Sequence, residues 1–341
     1  MRTALALLLL LAPAAPADSK KLCARDVKFA LRELEKRCGH FFKLKGIRWP
    51  GVRREISRQL KSVATRQDHY ALLCRLVARL RDGHASVQVG EGAKGVQWPG
   101  PVLERGPGMF LCRSGEKILV KSGFAKAAAS GVEPGMELVA VEGVPAAKWL
   151  DQRTTELREL RGFSTDQQGF FFTCHWGLGG PAGSRLALQL RTLDHKSKKI
   201  TLSRTASVVP VGPAFFPEGL EKIGRQSYGR TKEGYGYIHL RDVPRDLPQQ
   251  LDRMLAALQE PPGLILDCRS NGGGACDHDA VYGRFLPPGK SITVPKKTYV
   301  SQGPNPYGGP MVVLVDAGVR SAGETIAGIF KEDGRAYMLG E

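Results

Sequence analysis

One stretch decides the fold of this chain: residues 263–274, with the sequence GLILDCRSNGGG. Its apolar start, Leu264 to Leu266, has the length and composition of a strand that is buried on both faces. The three glycines that follow Asn271 form a loop that can expose backbone N–H groups, because glycine tolerates conformations that other residues avoid. The stretch therefore predicts a buried strand that runs into a polar, glycine-rich loop.

The segments around this strand alternate between strand and helix. Two more strands are predicted at residues 235–240 (YGYIHL) and 312–315 (VVLV), and residues 247–258 carry apolar side chains at helical spacing. A second helix is predicted to begin within residues 321–327 (SAGETIA). This order predicts an α/β core with a mainly parallel sheet over residues 209–341.

A β-rich region precedes this core. Within residues 127–145 (AAASGVEPGMELVAVEGVP), a short Ala-rich helix is broken at Gly131, and a Pro-Gly pair then makes a turn. A strand from Glu137 to Val141 is predicted to end at a hairpin at Glu142-Gly143. The arrangement resembles a PDZ-like domain, assigned here to residues 96–208, and implies the capture of extended peptide C-termini by strand addition.

The N-terminal part of the chain is basic and helical. From Lys20 to Asp82 it has 18 Lys or Arg against 6 Asp or Glu, which accounts for most of the formal charge of +17. Apolar residues between Asp26 and Cys38 share one face of a predicted helix, and Asp68 is predicted to cap another. We predict a basic helical domain over residues 18–95. Its surface is expected to be solvated or to contact an anionic envelope surface; without interleaved aromatic residues, a nucleic-acid partner is not expected.

The first residues predict export. A positive charge at Arg2, an apolar run at residues 4–11 and the small residues Ala15-Pro16-Ala17 are typical of a cleavable signal peptide, assigned to residues 1–17. The apolar run is too short to span a membrane. We expect a soluble protein that is secreted or periplasmic.

The composition of the 341 residues excludes several classes of protein. With 42% hydrophobic and 24% charged residues, the chain is neither wholly disordered nor fibrous. Its seven cysteines are an odd number, so at least one thiol is expected to stay unpaired within the chain. Cys23, Cys38 and Cys74 fall in the predicted helical region and could pair there, but spacing alone leaves the pairing open.

Two motifs of the predicted α/β core resemble those of the S41 peptidases. The first is Leu-Asp-x-Arg-x-Asn-x-Gly-Gly at residues 266–274, and the second is Ser-Ala-x-Glu at residues 321–324. The family contains the C-terminal-processing proteases and the tricorn-type proteases. The resemblance covers residues 69–341, with the PDZ-like domain in its family position. It implies an S41-type catalytic core that uses no metal and no cofactor.

The resemblance assigns the nucleophile to Ser321. A serine at the start of a helix is also well suited to a simple N-cap, which is the alternative. The resemblance further implies that an oxyanion would be bound by the backbone N–H of Ala322 and by that of Gly272 or Gly273.

A serine nucleophile needs a base, and the resemblance assigns it to His84. His84 belongs to an Asp-Gly-His motif at residues 82–84 that resembles the one holding the catalytic His of tricorn-like members. His278 and His239 are weaker candidates. Glu324 matches the family acid three residues after the nucleophile and is expected to support the site.

The chain also departs from the family pattern. The Lys of the Ser-Lys branch and the Glu that orients the His of tricorn-like members both fall beyond Glu341, and Gly83 stands where tricorn has Ser. We expect either that the sequence is incomplete or that a different group orients His84. Asp267 and Arg269 are expected to fix the loop rather than to react.

These observations predict an exported serine endopeptidase that cleaves C-terminal or unfolded segments of peptides and proteins. The alternative is a non-catalytic peptide- or lipid-binding protein on the same scaffold. A metal site at Cys268, Cys276, Asp277 and His278 is not expected, because the closely paired ligands that zinc prefers are missing. The substrate and the oligomeric state stay open.

Overall fold

A computed structural model of the protein describes residues 16–90, 95–207, 216–294, 297–303 and 307–340. The chain divides into two compact units, Met1–Val208 and Val209–Glu341. The predicted signal peptide, residues 1–17, lies outside the described residues except for Pro16 and Ala17, which begin the first helix. None of the described helices combines the length and the apolar character needed to cross a bilayer.

The described part of the chain contains nine α-helices and fourteen strands, and its mixed α/β character confirms the predicted class. The helices are α1 Pro16–Phe42, α2 Trp49–Gln59, α3 Arg66–Ala78, α4 Ala125–Ala129, α5 Ala146–Arg158, α6 Asp166–Trp176, α7 Leu247–Leu258, α8 His278–Tyr282 and α9 Ala322–Glu332. The strands are β1 Met109–Ser114, β2 Lys117–Gly123, β3 Glu137–Val141, β4 Val144–Pro145, β5 Arg185–Arg191, β6 Ser197–Ser203, β7 Glu221–Ile223, β8 Gln226–Arg230, β9 Gly236–His239, β10 Leu264–Asp267, β11 Ser291–Val294, β12 Lys297–Val300, β13 Met311–Val315 and β14 Tyr337–Gly340.

The first unit begins with three helices around their own core. The apolar face predicted on α1 is buried there, with Val27, Leu31 and Leu34 packed together with residues of α2 and α3. The predicted cap of α3 was wrong by three residues. Thr65 is the N-cap, and the Asp68 carboxylate instead accepts hydrogen bonds from the backbone N–H groups of Ala64 and Thr65. The Thr65 hydroxyl in turn accepts the Asp68 N–H, so Asp68 occupies the third helical position of a capping box.

The cysteines of this helical region do not pair. The seven cysteines all lie in the described residues, and no disulfide bond links any of them. Cys23 and Cys74 are buried in the core, where burial raises the pKa of the Cys23 thiol to about 12 and that of the Cys74 thiol to about 11. Their environment favours the neutral thiol, which behaves as a small apolar side chain.

An antiparallel sheet follows in the first unit. Its strands lie in the order β1-β2-β3-β5-β6, and β4 pairs with β3. The predicted strand Glu137–Val141 is β3, and the predicted hairpin follows it at Glu142 and Gly143, whose φ angles are 49° and 79°. Two positive φ values match the turn that suits the twist of paired strands.

A six-stranded sheet forms the centre of the second unit, in the order β14-β13-β10-β9-β8-β7. Strands β9, β10, β13 and β14 pair in parallel, whereas β8 pairs with β9 and β7 with β8 in antiparallel fashion. Helices α7 and α9 bury their apolar faces in the same core as these strands. The predicted helix 247–258 coincides with α7.

The register of the parallel strands positions the candidate site. Asp267, the last residue of β10, lies opposite His239 on β9 and Leu314 on β13. The carboxyl ends of these strands therefore meet at one edge of the sheet, which is the edge where open α/β sheets bind ligands. The glycine-rich loop and Ser321 both follow strands that end there.

Candidate active site

Ser321 lies on a strained turn between β13 and α9. Its backbone has φ 57° and ψ −123°, a combination that costs a residue with a side chain about 1–3 kcal/mol. The Ser321 N–H donates to the Glu324 carboxylate at 2.7 Å, which satisfies one of the free amides at the start of the helix. Ser321 is the N-cap residue of α9, which is the alternative role expected of it.

The glycine-rich loop after β10 packs directly against this turn. A Cβ on Gly273 would lie 2.7 Å from both the Arg320 carbonyl oxygen and the Ser321 Cβ, and the φ of Gly273 is +82°. Only glycine fits such a position without displacing the backbone. The Arg320 N–H also donates to the Asn271 carbonyl at 3.0 Å. The structure therefore brings Gly273 and Ser321 together, as the two motifs predicted.

The N–H groups predicted to bind an oxyanion differ in whether they already have a hydrogen-bond partner. The Gly273 N–H donates to the Asn271 side-chain oxygen at 2.8 Å, and the Gly272 N–H donates to the Arg241 carbonyl at 3.2 Å. The Ala322 N–H lies in the first turn of α9, where backbone N–H groups have no carbonyl partner within the helix. Both glycine amides must therefore leave an internal partner before they can donate to a substrate.

A buried charge pair fixes the start of this loop. Asp267 is fully buried, and Arg269 donates to its carboxylate through Nε and Nη2, the latter at 2.6 Å. The Tyr237 hydroxyl donates to the same carboxylate at 2.6 Å. Burial alone would raise the pKa of Asp267, but the hydrogen bonds from Arg269 and Tyr237 outweigh it and lower that pKa. The carboxylate therefore stays ionised and occupied, as expected of a structural group.

Further hydrogen bonds tie the loop to its neighbours. Asn271 is fully buried, and its side-chain N–H donates to the Leu240 carbonyl at 2.7 Å. The Ser270 N–H donates to the Asp316 carboxylate at 2.8 Å, and Arg241 Nη1 donates to the Ser270 carbonyl at 2.7 Å. The loop is thus held from β9, from β10 and from the segment after β13.

His84 lies in the first unit, in the turn that follows α3. The Asp82 carboxylate accepts the His84 backbone N–H at 2.9 Å, and the same Asp82 oxygen lies 3.5 Å from His84 Nδ1. The His84 side chain is 52% exposed. Lys45 Nζ lies 3.4 Å from the other Asp82 oxygen. Because Ser321 belongs to the second unit, the pairing of His84 with Ser321 stays a prediction.

Comparison with known families identifies the second unit. Residues 234–341 match the model of peptidase family S41. The match covers the second unit from the start of β9 onward. The matched S41 residues run from β9 to the end of β14 and contain both the glycine-rich loop and Ser321.

The chain is similar to two curated processing proteases. It is 23% identical over 234 residues to a carboxyl-terminal-processing protease of Synechocystis sp., covering 66% of this chain and 48% of that protein. It is 27% identical over 175 residues to a chloroplastic C-terminal processing peptidase of Tetradesmus obliquus, covering 48% of this chain and 38% of that one. The chain thus spans half or less of the length of these relatives.

Its fold is similar to that of a solved structure. The crystal structure of mature CPAF matches with a TM-score of 0.64 at 12% sequence identity, covering 94% of this chain and 83% of that one. At this identity the similarity concerns the fold alone.

Asp82 is a candidate site residue that sequence analysis missed. The analysis expected a different group to orient His84 but named none, although Asp82 stands two residues before it in the quoted motif. The signal was the turn-forming glycine between the two, since an Asp can accept the N–H two residues ahead of it in an Asx turn.

Of the two histidines in the matched domain, His239 is buried and His278 is half-buried. His239 Nε2 forms a hydrogen bond of 3.1 Å with the Arg269 carbonyl oxygen, and burial lowers the pKa of His239. Burial also lowers the pKa of His278. A hydrogen bond with the Ala322 backbone acts in the opposite direction and partly offsets this shift. Over the described ranges, no group of three or more His, Cys, Asp or Glu side chains is arranged to hold a metal ion.

Proposed function

We propose that this chain is an exported serine endopeptidase that cleaves C-terminal or unfolded segments of peptides and proteins. The observation that carries the proposal is the strained Ser321 turn with Gly273 packed against it, in a domain of the S41 family. The match of two processing proteases supports a peptide substrate. Secretion or a periplasmic location is proposed from the signal-peptide pattern of residues 1–17.

In this proposal Ser321 Oγ attacks the scissile carbonyl carbon while His84 accepts the hydroxyl proton. The carbonyl oxygen becomes an oxyanion that the Ala322 N–H and a glycine N–H of the loop bind. Collapse of this intermediate breaks the C–N bond, and His84 returns the proton to the leaving amine. Water then attacks the acyl carbon while His84 accepts its proton. The ester bond to Ser321 Oγ breaks, Oγ takes the proton back from His84, and the peptide acid leaves.

Glu324 is a positioning residue in this scheme. Its carboxylate holds the Ser321 N–H and lies at the N-terminus of α9, where a negative charge is favourable. It fixes the backbone of the nucleophile and leaves the hydroxyl to the base. Asp82 is the proposed group that orients His84, because its carboxylate lies beside Nδ1.

Binding of one glycine amide to the oxyanion requires a local rearrangement. The Gly273 N–H would have to exchange the Asn271 side-chain oxygen for the substrate oxyanion. An oxyanion is the better acceptor, because hydrogen bonds to charged acceptors are about twice as strong as those to neutral ones. The loop would thus complete its donor set when the substrate is attacked.

Residues 96–208 are proposed to act as a PDZ-like substrate-binding domain, residues 18–95 as a basic helical domain and residues 209–341 as the catalytic domain. The antiparallel sheet of the first unit supports the PDZ-like assignment, since an edge of such a sheet can accept an extended peptide.

The test is cleavage of unfolded casein together with labelling by a serine-directed fluorophosphonate. Ser321→Ala is expected to lose at least about 10³-fold in kcat and all of its labelling, since loss of a catalytic serine removes the covalent route. Ser291→Ala, which alters an exposed serine at the start of β11, is the matched control and should keep both. Full activity in Ser321→Ala would end the proposal. Binding of peptide or lipid without any turnover would favour the non-catalytic alternative.

A further inference from the structure

The side of α1 that faces away from the core carries a line of basic residues. Val27, Leu31 and Leu34 of this helix are buried in the helical core of the first unit. Five cations lie on the other side and all of them are exposed, namely Lys21, Arg25, Lys28, Arg32 and Lys36. Successive members are three or four residues apart, so they follow one side of the helix over about 22 Å. These five residues are called the basic stripe.

Much of the charge of the basic stripe is not matched by the protein. Arg25 lies 3.3 Å from Asp26, but the arginine side chain stays 68% exposed. Arg32 lies 3.3 Å from Glu33 and stays 69% exposed. The other three members have no ion-pair partner among the residues that the structure describes: Lys21, Lys28 and Lys36. The basic stripe therefore presents a net positive charge to solvent.

The carboxylates beside the basic stripe are matched by arginines outside it. Glu33 lies 3.3 Å from Arg37, one turn further along the helix. Glu35 lies 2.6 Å from Arg53 of α2. Because each carboxylate has such a partner, little negative charge is left to repel an anion that approaches the basic stripe.

An aromatic ring lies among these cations. Phe29 stands four residues after Arg25 and three before Arg32, which places it on the same side of the helix. It is 42% exposed, and the Arg32 guanidinium lies 5.4 Å from the centroid of its ring. Aromatic and basic side chains are both enriched where a bilayer meets water, at the level of the lipid headgroups.

We propose that the basic stripe binds the surface of a membrane that contains anionic lipids. α1 would lie along the bilayer, with its cations against the headgroup phosphates and Phe29 at the same level. The apolar side of the helix is buried in the protein core, so the contact is mainly electrostatic and α1 does not insert. Helices with four to eight clustered Lys or Arg are typical of such binding, and each cation strengthens it about fivefold.

A nucleic acid is the other polyanion that such a stripe could contact. Two observations favour the membrane. The pattern of residues 1–17 predicts export, which brings the protein to a membrane. The exposed ring of Phe29 also gains an apolar neighbour at a lipid surface, whereas a phosphate backbone offers it none.

The test is cosedimentation of the full chain with vesicles of phosphatidylcholine alone or of an equimolar mixture of phosphatidylcholine and phosphatidylglycerol. Every sample carries Leu8→Asp and Leu10→Asp, because charges in the apolar run at residues 4–11 prevent that run from inserting. Binding is expected for the anionic vesicles only. Raising the NaCl concentration from about 0.05 M to about 0.5 M should weaken it at least tenfold, since salt screens the exposed charges.

Variants with equal changes in net charge separate the basic stripe from the rest of the first unit. Lys28→Gln with Lys36→Gln removes two cations that have no described ion-pair partner, so it should weaken binding about 25-fold and leave the circular dichroism spectrum unchanged. Lys126→Gln with Lys148→Gln is the matched control. Both lysines are exposed, on α4 and α5, and their loss should leave binding to the anionic vesicles nearly unchanged.

Absence of binding to the anionic vesicles, or equal binding to both kinds of vesicle, would overturn the proposal. Equal losses in the stripe variant and its control would do the same, because the effect would then follow from net charge alone. A duplex oligonucleotide that binds more tightly than the anionic vesicles, and loses affinity in the stripe variant, would assign the stripe to nucleic acid instead. These outcomes do not depend on the proposed catalysis, which Ser321-dependent cleavage of casein in solution judges without vesicles.

Discussion

The loop after β10 and the turn that holds His84 position their side chains in different ways. In the loop, Asp267 and Asn271 are fully buried and every polar group on them has a partner within the second unit. In the turn, His84 and Asp82 are 52% and 41% exposed and lie 3.5 Å apart. The proposed nucleophile is thus positioned by the fold, while the proposed base has one weak local contact with Asp82.

This difference has an energetic consequence. Removing the partner of a buried, hydrogen-bonded charge strongly lowers the free energy of unfolding. An exposed ion pair contributes little to that free energy, because water screens it. Substitutions in the loop should therefore affect folding and catalysis together, and those in the turn should affect catalysis almost alone.

The largest effect is expected for Asp267→Ala. The substitution leaves the Arg269 guanidinium and the Tyr237 hydroxyl without their acceptor, and breaking such a buried pair costs about 3–5 kcal/mol. Urea unfolding followed by circular dichroism should show this loss. Asp82→Ala, the matching change in the exposed turn, should cost less than about 1 kcal/mol. Equal losses at the two positions would contradict the contrast.

Gly273→Ala is the next largest. The new Cβ would lie 2.7 Å from the Ser321 Cβ, at a φ of +82°, so either the loop or the nucleophile must move. We expect kcat/KM to fall about 10²–10³-fold, as when one oxyanion donor is lost. Gly272→Ala is the control, because its Cβ would meet only the Arg320 side chain at 3.9 Å. A similar loss in both variants would mean that the close approach of Gly273 is not what matters.

Asp82→Asn tests the exposed side of the comparison. If the Asp82 carboxylate orients His84, its loss should lower kcat about tenfold with KM unchanged, which corresponds to about 1.4 kcal/mol. Lys45→Ala removes the ammonium group beside the second Asp82 oxygen and leaves the contact between Asp82 and His84, so it should keep kcat. An equal loss in Lys45→Ala would assign the effect of Asp82 to the fold of the turn.

Local patterns were sufficient to predict the elements that bury a regular apolar face. The helix Leu247–Leu258 and the strand Glu137–Val141 lie where periodicity placed them, because one side chain in every turn or every second residue meets the core. The polar strands Glu221–Ile223 and Gln226–Arg230 were not predicted. They have no apolar pattern of their own. Strand β8 forms by pairing with β9, and β7 by pairing with β8, which is a tertiary effect.

The candidate site shows the same limit. The family resemblance implied that the glycine loop and Ser321 would lie together, because it assigned both to one oxyanion site. It could not predict that the Asn271 side chain holds the Gly273 N–H or that Asp82 lies beside His84. These contacts depend on rotamers and on competition between acceptors, which residue spacing does not encode.

The smallest effect expected is a change in how stability depends on pH. Burial lowers the pKa of His239 in the folded protein, while the unfolded chain has the ordinary value of about 6.5. Below that pH the unfolded state binds more protons than the folded state, so the free energy of unfolding should fall as the pH drops from 7.5 to 5.5.

His239→Gln, which can still donate to the Arg269 carbonyl, should reduce this slope by up to about 1.4 kcal/mol per pH unit. Urea unfolding at several pH values measures the slope. Part of the slope should remain, because burial also lowers the pKa of the half-buried His278. An unchanged slope in His239→Gln would mean that the burial of His239 does not contribute to the pH dependence of stability.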